Sequence, residues 1–239
     1  MRVTVADVSK GREGIALPAT SVEFASGRAE LVVAETEQRP TILGLIATGR
    51  MRPDSGSVTI DGRTDAAALR RRLALVDAPD VSEPAANVAV AGIVAEELMF
   101  AGRRSDPLAA LRWLDEHGAQ ELTRVPIADV APARRLRLLL ELATLRRGVD
   151  GVVLVSPDRH GGDPREWWAL AQEFAARGLA VLVVAGEAAA SVLAAPVETH
   201  PRARSSRVRP RGSAALLTRR PARRRAGRPA ASAAQSGRA

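Results

Sequence analysis

The chain has no cysteine, no tyrosine and a single lysine, Lys10, and aromatic residues make up 3% of it. The absence of cysteine excludes disulfides and thiolate metal sites and fits a reducing interior. Three histidines, His117, His160 and His200, are scattered without metal-ligand spacing, so no metal site is expected. No apolar run approaches the roughly 20 residues of a membrane-spanning helix. Residues 1–7 alternate like a strand and lack the apolar core of a secretory signal. The expected location is the cytoplasm, with peripheral placement at the inner face of a membrane through a partner. Arginine stands almost everywhere lysine could and alanine abounds, which matches a GC-rich coding sequence and says little about function.

A length of 239 residues allows one sizeable domain and a tail. The net charge of +8 is unevenly placed. Residues 199–239 hold 12 arginines and no acidic residue, so residues 1–198 carry a net charge of −4. The tail is rich in Pro, Gly, Ser and Ala, has no sustained apolar periodicity, and is expected to be disordered. Three accounts of it stand open: a solvated tail, an arm for nucleic acid or anionic lipid, and a coding accident after the abrupt change near Thr199.

The chain is organised around residues 31–62. Leu31-Val32-Val33 has the look of a strand buried on both faces of a parallel sheet, and residues 34–39 form the loop that leaves it. Pro40 suits the first helical position, the apolar residues Ile42, Leu43, Leu45 and Ile46 continue a helix, and Gly49 stops it. Strand, loop and helix make the frame of a phosphate-binding loop. The stretch Arg52-Pro53-Asp54-Ser55-Gly56-Ser57-Val58-Thr59-Ile60-Asp61-Gly62 then resembles the segment after the first helix in ATP-binding cassette (ABC) ATPases, the nucleotide-binding subunits of transporters. The resemblance covers residues 1–195. It implies an α/β, P-loop NTPase-like cassette fold with an antiparallel β subdomain in residues 1–33 and a helical subdomain at about 85–148. The expected domains are 1–198 and the tail 199–239.

The chemistry that this frame normally carries is missing. A phosphate loop needs glycines that turn backbone N–H groups inward and a lysine for the β- and γ-phosphates. Here Ala34 and Arg39 stand for the glycines and Pro40 for the lysine, and only Thr41 matches. Glu35 and Glu37 would repel a phosphate. Arg39 is either a substitute anion ligand or a solvated loop residue. The early β region offers Ser9-Lys10-Gly11-Arg12 where the family stacks an aromatic ring on adenine. Asp77-Ala78-Pro79 takes the place of the family's glutamine; Asp77 reads as a loop cap before proline or, in isolation, as a metal ligand.

The same replacement recurs downstream. Ala131-Pro132-Ala133 lies where the signature sequence presents a hydroxyl and N–H groups, ahead of a helix expected to run to about Arg147. Ser156 and Pro157 lie where the resemblance implies the magnesium aspartate and the catalytic glutamate, with Asp158 one or two residues late. Gly186-Glu187 stands where a histidine follows the last strand. Asp163 matches an aspartate of the loop that communicates across the family's dimer. In the helical region, Leu108, Leu111 and Leu114 fall on one helix face, His117 complements that helix's dipole, and Trp113 serves either subdomain packing or a partner contact.

The expectation is therefore a degenerate ABC-like subunit: a pseudo-ATPase acting as adaptor or regulator of a membrane protein, with no catalytic residue and no cofactor. Its partner would be a membrane or permease subunit, with a second cassette subunit as a further candidate. Two alternatives remain: residual ATP binding and hydrolysis with Mg²⁺ through Thr41 and Asp158, and nucleic-acid or anionic-lipid binding through the tail.

Overall fold

The computed structural model describes residues 1–35 and 39–195. The expected disorder of residues 199–239, and the loop positions Thr36, Glu37 and Gln38, lie outside the described residues.

Two sheets organise the fold. Strands β1 (Arg2–Lys10), β2 (Leu17–Ala25) and β4 (Ser55–Ile60) form an antiparallel sheet in the order β2-β1-β4. Strands β3 (Ala29–Val33), β5 (Leu73–Val76), β6 (Gly151–Val155) and β7 (Ala180–Ala185) form a parallel sheet in the order β3-β7-β6-β5. The connections of the parallel strands carry helices α1 (Arg39–Ala47), α2 (Ala66–Arg72), α3 (Val90–Phe100), α4 (Pro107–Glu116), α5 (Pro132–Ala143) and α6 (Pro164–Ala176); α7 (Glu187–Ala194) follows the last strand.

Alternation along β6 and β7 divides the core. Val152, Leu154, Val181 and Val183 belong to one cluster with residues of α3, α4, α5 and α6. Val153, Val155, Leu182 and Val184 point the other way, to α1 and the antiparallel sheet. Every residue of β6 and β7 is buried, as their unbroken apolar sequences require in a sheet covered on both sides. Gly44 lets α1 lie against β6: a Cβ there would stand 2.8 Å from Val155 Cγ2.

Four details differ from the sequence expectation. β3 is not buried on both faces, because it is the outermost strand of its sheet; Leu31 and Val32 are half-buried and Val33 is exposed. The buried positions of α4 are Ala110, Trp113 and Leu114, the i, i+3, i+4 stripe, while Leu108 and Leu111 are exposed. α1 begins at Arg39, one residue before Pro40. α5 ends at Ala143 instead of near Arg147, where Thr144 Oγ1 donates to the Glu141 carbonyl in place of a further helical turn.

Candidate functional site: the carboxyl edge of the parallel sheet

Parallel strands all end on the same edge, so the loops after β3, β5, β6 and β7 converge. This edge is where an open α/β sheet binds its ligand, and here it is filled by the chain's own ionic side chains.

The centre is Asp77, the residue after β5. It has a positive φ of 56° and a fully buried side chain. Arg135, in the first turns of α5, donates from Nη2 to Asp77 Oδ1 at 2.7 Å and is itself 4% exposed. His160 Nε2 lies 2.7 Å from Asp77 Oδ2. Arg159 Nη1 donates to the Asp77 and Val155 carbonyls, and its Nη2 lies 3.2 Å from Asp77 Oδ1 and 3.1 Å from Glu83 Oε1. Burial alone would raise the Asp77 carboxyl, but hydrogen bonds from His160 and Arg135 and the charges of Arg159 and Arg135 outweigh it and hold the pKa below the ordinary carboxylate range.

Asp77 is thus neither an exposed loop cap nor a free ligand. Asp77, Glu83 and His160 do bring three ligand-type atoms within 4.8 Å of one another, the one such group among the described residues. The same carboxylates are already answered by Arg135 and Arg159, and a dication would have to displace or repel both guanidiniums.

A second cluster lies at the ends of β3, β6 and β7. Glu35 Oε1 accepts from the Glu187 N–H at 2.8 Å, and Asp158 Oδ2 accepts from the Gly186 N–H at 3.0 Å. These are the backbone donors at the start of α7, and carboxylates of this chain hold them where an anion would otherwise bind. Asp158 Oδ1 is buried without a hydrogen-bond partner. Ser156, with φ 47°, begins a one-turn 3₁₀ segment from Pro157 to His160.

The other sequence candidates lie as follows. Arg39 and Thr41 are in the first turn of α1, both half-buried. Lys10 is committed to the antiparallel sheet, where its Nζ donates to Asp54 Oδ1 at 2.6 Å and to the Arg52 carbonyl at 3.0 Å. Asp163 caps α6, its Oδ1 accepting from the Arg165 N–H at 2.9 Å. His117 caps α4: its Nδ1 lies 2.7 Å from the Trp113 carbonyl, and its ring stacks on the buried Trp113.

No protein-family model matches the sequence, and no curated protein does. Solved structures do match in shape. A protein from Pyrococcus furiosus described as an ABC transporter ATP-binding protein superposes with a TM-score of 0.54 at 12% identity, over 78% of this chain and 92% of that one. The chain has the ABC ATP-binding subunit fold. The ATP-binding subunit of another ABC transporter gives a TM-score of 0.52 at 19% identity, over 80% of this chain and 82% of its own. cbiO1 of Clostridium perfringens, part of the ABC transporter complex cbiONQ, gives 0.53 at 16% identity, over 77% of each chain.

The ABC fold implies Mg-ATP at this edge, and the donor chemistry of the described residues there does not fit it. The residues after β6 are a serine and a proline, the carboxylate after β5 is held by two arginines, and the donors after β7 are taken by Asp158 and Glu35. Among the described residues, the features in favour of a cation are the buried, unpartnered Asp158 Oδ1 and the Asp77–Glu83–His160 group that the arginines already occupy.

Sequence inspection missed His160, Arg135 and Arg159 as parts of one site. Their separations from Asp77 in sequence, 58 residues for Arg135 and 83 for His160, hide the cluster. An arginine at a core-facing position of α5 is the one signal that could have found it.

Proposed function

We propose that the chain is an ABC-type subunit without ATP chemistry, a pseudo-ATPase that acts as adaptor or regulator of a membrane protein at the cytoplasmic face of the membrane. The observation that carries this reading is the Asp77–Arg135–Arg159–His160 network, which spends on internal ion pairs the edge where metal and γ-phosphate chemistry would take place. Retention of both core clusters beside it fits a fold maintained for binding.

The adaptor role is supported by a groove of about 420 Å³ beside β5, walled by α3 and α5. Ile93, Leu139 and Leu142 form its floor, and Val81, Glu96 and the exposed Phe100 line its rim. Apolar side chains on the floor, with Glu83, Glu96 and Glu97 and the arginines Arg50 and Arg146 around them, suit an amphipathic helix of a partner that carries charged residues beside its apolar face. Among the described residues no helix is long and apolar enough to cross a membrane, so membrane placement would come through that partner. cbiO1, a structural neighbour, is itself part of a transporter complex.

A second reading, residual hydrolysis, rests on the unpartnered Asp158 Oδ1. Phosphate release from Mg-ATP by the purified chain separates the two. The pseudo-ATPase reading predicts no release above background and no change on Asp158→Ala. A steady rate that collapses in that variant would establish hydrolysis and overturn the reading.

A further inference from the structure

At the opposite end of β5 from Asp77 lies a basin of about 420 Å³ whose lining includes Arg50, Arg70, Arg71, Arg72, Arg146 and Arg147 and no carboxylate. It is large enough for a small ligand. Two of the six guanidiniums are answered by acids outside the lining: Arg72 by Asp61 and Asp150, and Arg146 by Glu97. The other four have no carboxylate within ion-pair distance among the described residues.

Part of this charge has a structural use. Arg70 Nη1 donates to the Gly49 carbonyl at 2.8 Å, Arg50 Nη1 donates to the Thr48 and Leu73 carbonyls at 3.3 and 3.2 Å, and the last turn of α2 favours cations. Carbonyl contacts do not cancel four net charges. Burial, and after it the charges of Arg146 and Arg70, lower the Arg50 pKa, so neighbouring guanidiniums add positive potential at this side chain. Arg71 and Arg147 are exposed at the basin and donate to no side chain or carbonyl among the described residues.

We propose that this basin binds clustered phosphate groups, the guanidinium forks of Arg50, Arg71 and Arg147 gripping the phosphate oxygens of a small polyphosphate or of adjacent anionic lipid headgroups. Planar, permanently charged guanidiniums match phosphate oxygens in pairs, which a lysine cluster would do less specifically. The site is separate from the carboxyl edge and does not depend on whether that edge binds ATP.

The test is hydrogen exchange on the full chain at residues 66–72 and 146–150, with inorganic tripolyphosphate in one arm and phosphatidylglycerol vesicles, against phosphatidylcholine vesicles, in the other. The comparison protein carries Arg71→Gln and Arg147→Gln. Both side chains are exposed, so the fold is expected to persist, and the basic tail is common to both proteins. Slowed exchange at the basin, with an apparent affinity about tenfold or more weaker in the double variant, supports the proposal. Slowing by tripolyphosphate identifies a free phosphate ligand; slowing by phosphatidylglycerol vesicles alone identifies lipid headgroups. No slowing in either arm, or slowing that the double variant leaves unchanged, overturns it.

Discussion

Asp77→Ala is expected to destabilise the full chain by about 3–5 kcal/mol, because it leaves the Arg135 guanidinium buried without its counter-charge. Arg135 cannot reach water without moving α5, of which seven residues are buried, and its second carboxylate neighbour, Glu83, is 3.9 Å away. Urea unfolding should show a lower midpoint with an unchanged slope. Adding Arg135→Met to Asp77→Ala should recover much of the loss, since an apolar side chain of similar length removes the stranded charge. A loss below about 1 kcal/mol in the single variant would place the pair among ordinary solvent-exposed ion pairs and contradict the buried network.

The same variant changes the response to acid. The folded-state pKa of Asp77 is depressed, so its contribution to stability is fully present above the unfolded carboxylate value of about 3.9 and is lost as pH falls through the folded value. Wild-type stability should therefore fall below about pH 4 more steeply than that of Asp77→Ala, and the difference between the two should shrink there.

Gly56→Ala carries the second large effect. Gly56 has φ 73°, and a Cβ would lie 2.3 Å from the carbonyl oxygens of both Ala6 and Asp7, opposite the register shift of β1. Backbone cannot yield as a flexible side chain can. Overpacking of roughly 1–3 kcal/mol adds to about 1–2 kcal/mol for a left-handed non-glycine backbone. Gly62 is the control: its φ is 77°, but a Cβ there meets nothing within 4 Å, so Gly62→Ala should show only the backbone cost. Equal melting shifts in the two variants would mean that the close approach of β4 to β1 is not as described.

Gly56 also shows why the frame was legible in sequence. Residues 55–62 fix a close strand approach and a turn, and such local demands leave a residue pattern. The basic helix into β5 was readable for the same reason: Asp65 caps its start through the Ala68 N–H, and the apolar run Leu73–Val76 takes over at its end. The unbroken apolar runs of β6 and β7 likewise announced strands covered on both sides. Exposure of β3 could not be read, because it depends on which strand is outermost in the sheet. The departure of residues 34–41 from the phosphate-loop pattern can be read residue by residue. The ionic network at the carboxyl edge cannot be read that way, since Asp77, Arg135 and His160 meet only once β5, α5 and the turn after β6 are assembled. A lone aspartate before Ala-Pro carries no sign of a partner 58 residues away.

The central claim is that the carboxyl edge of the parallel sheet no longer holds Mg-ATP, and hydrogen exchange of the full chain with millimolar Mg-ATP tests it most directly. The readout must be local, at residues 39–47, 153–160 and 186–190, because ATP phosphates can also engage the arginine basin and the basic tail. Ligand at about 100 times its dissociation constant stabilises a site by roughly 2.7 kcal/mol, ample to slow exchange there. Unchanged exchange at all three segments is the predicted result. Saturable slowing at residues 39–47 and 186–190 would show that this edge still binds nucleotide and would contradict the account.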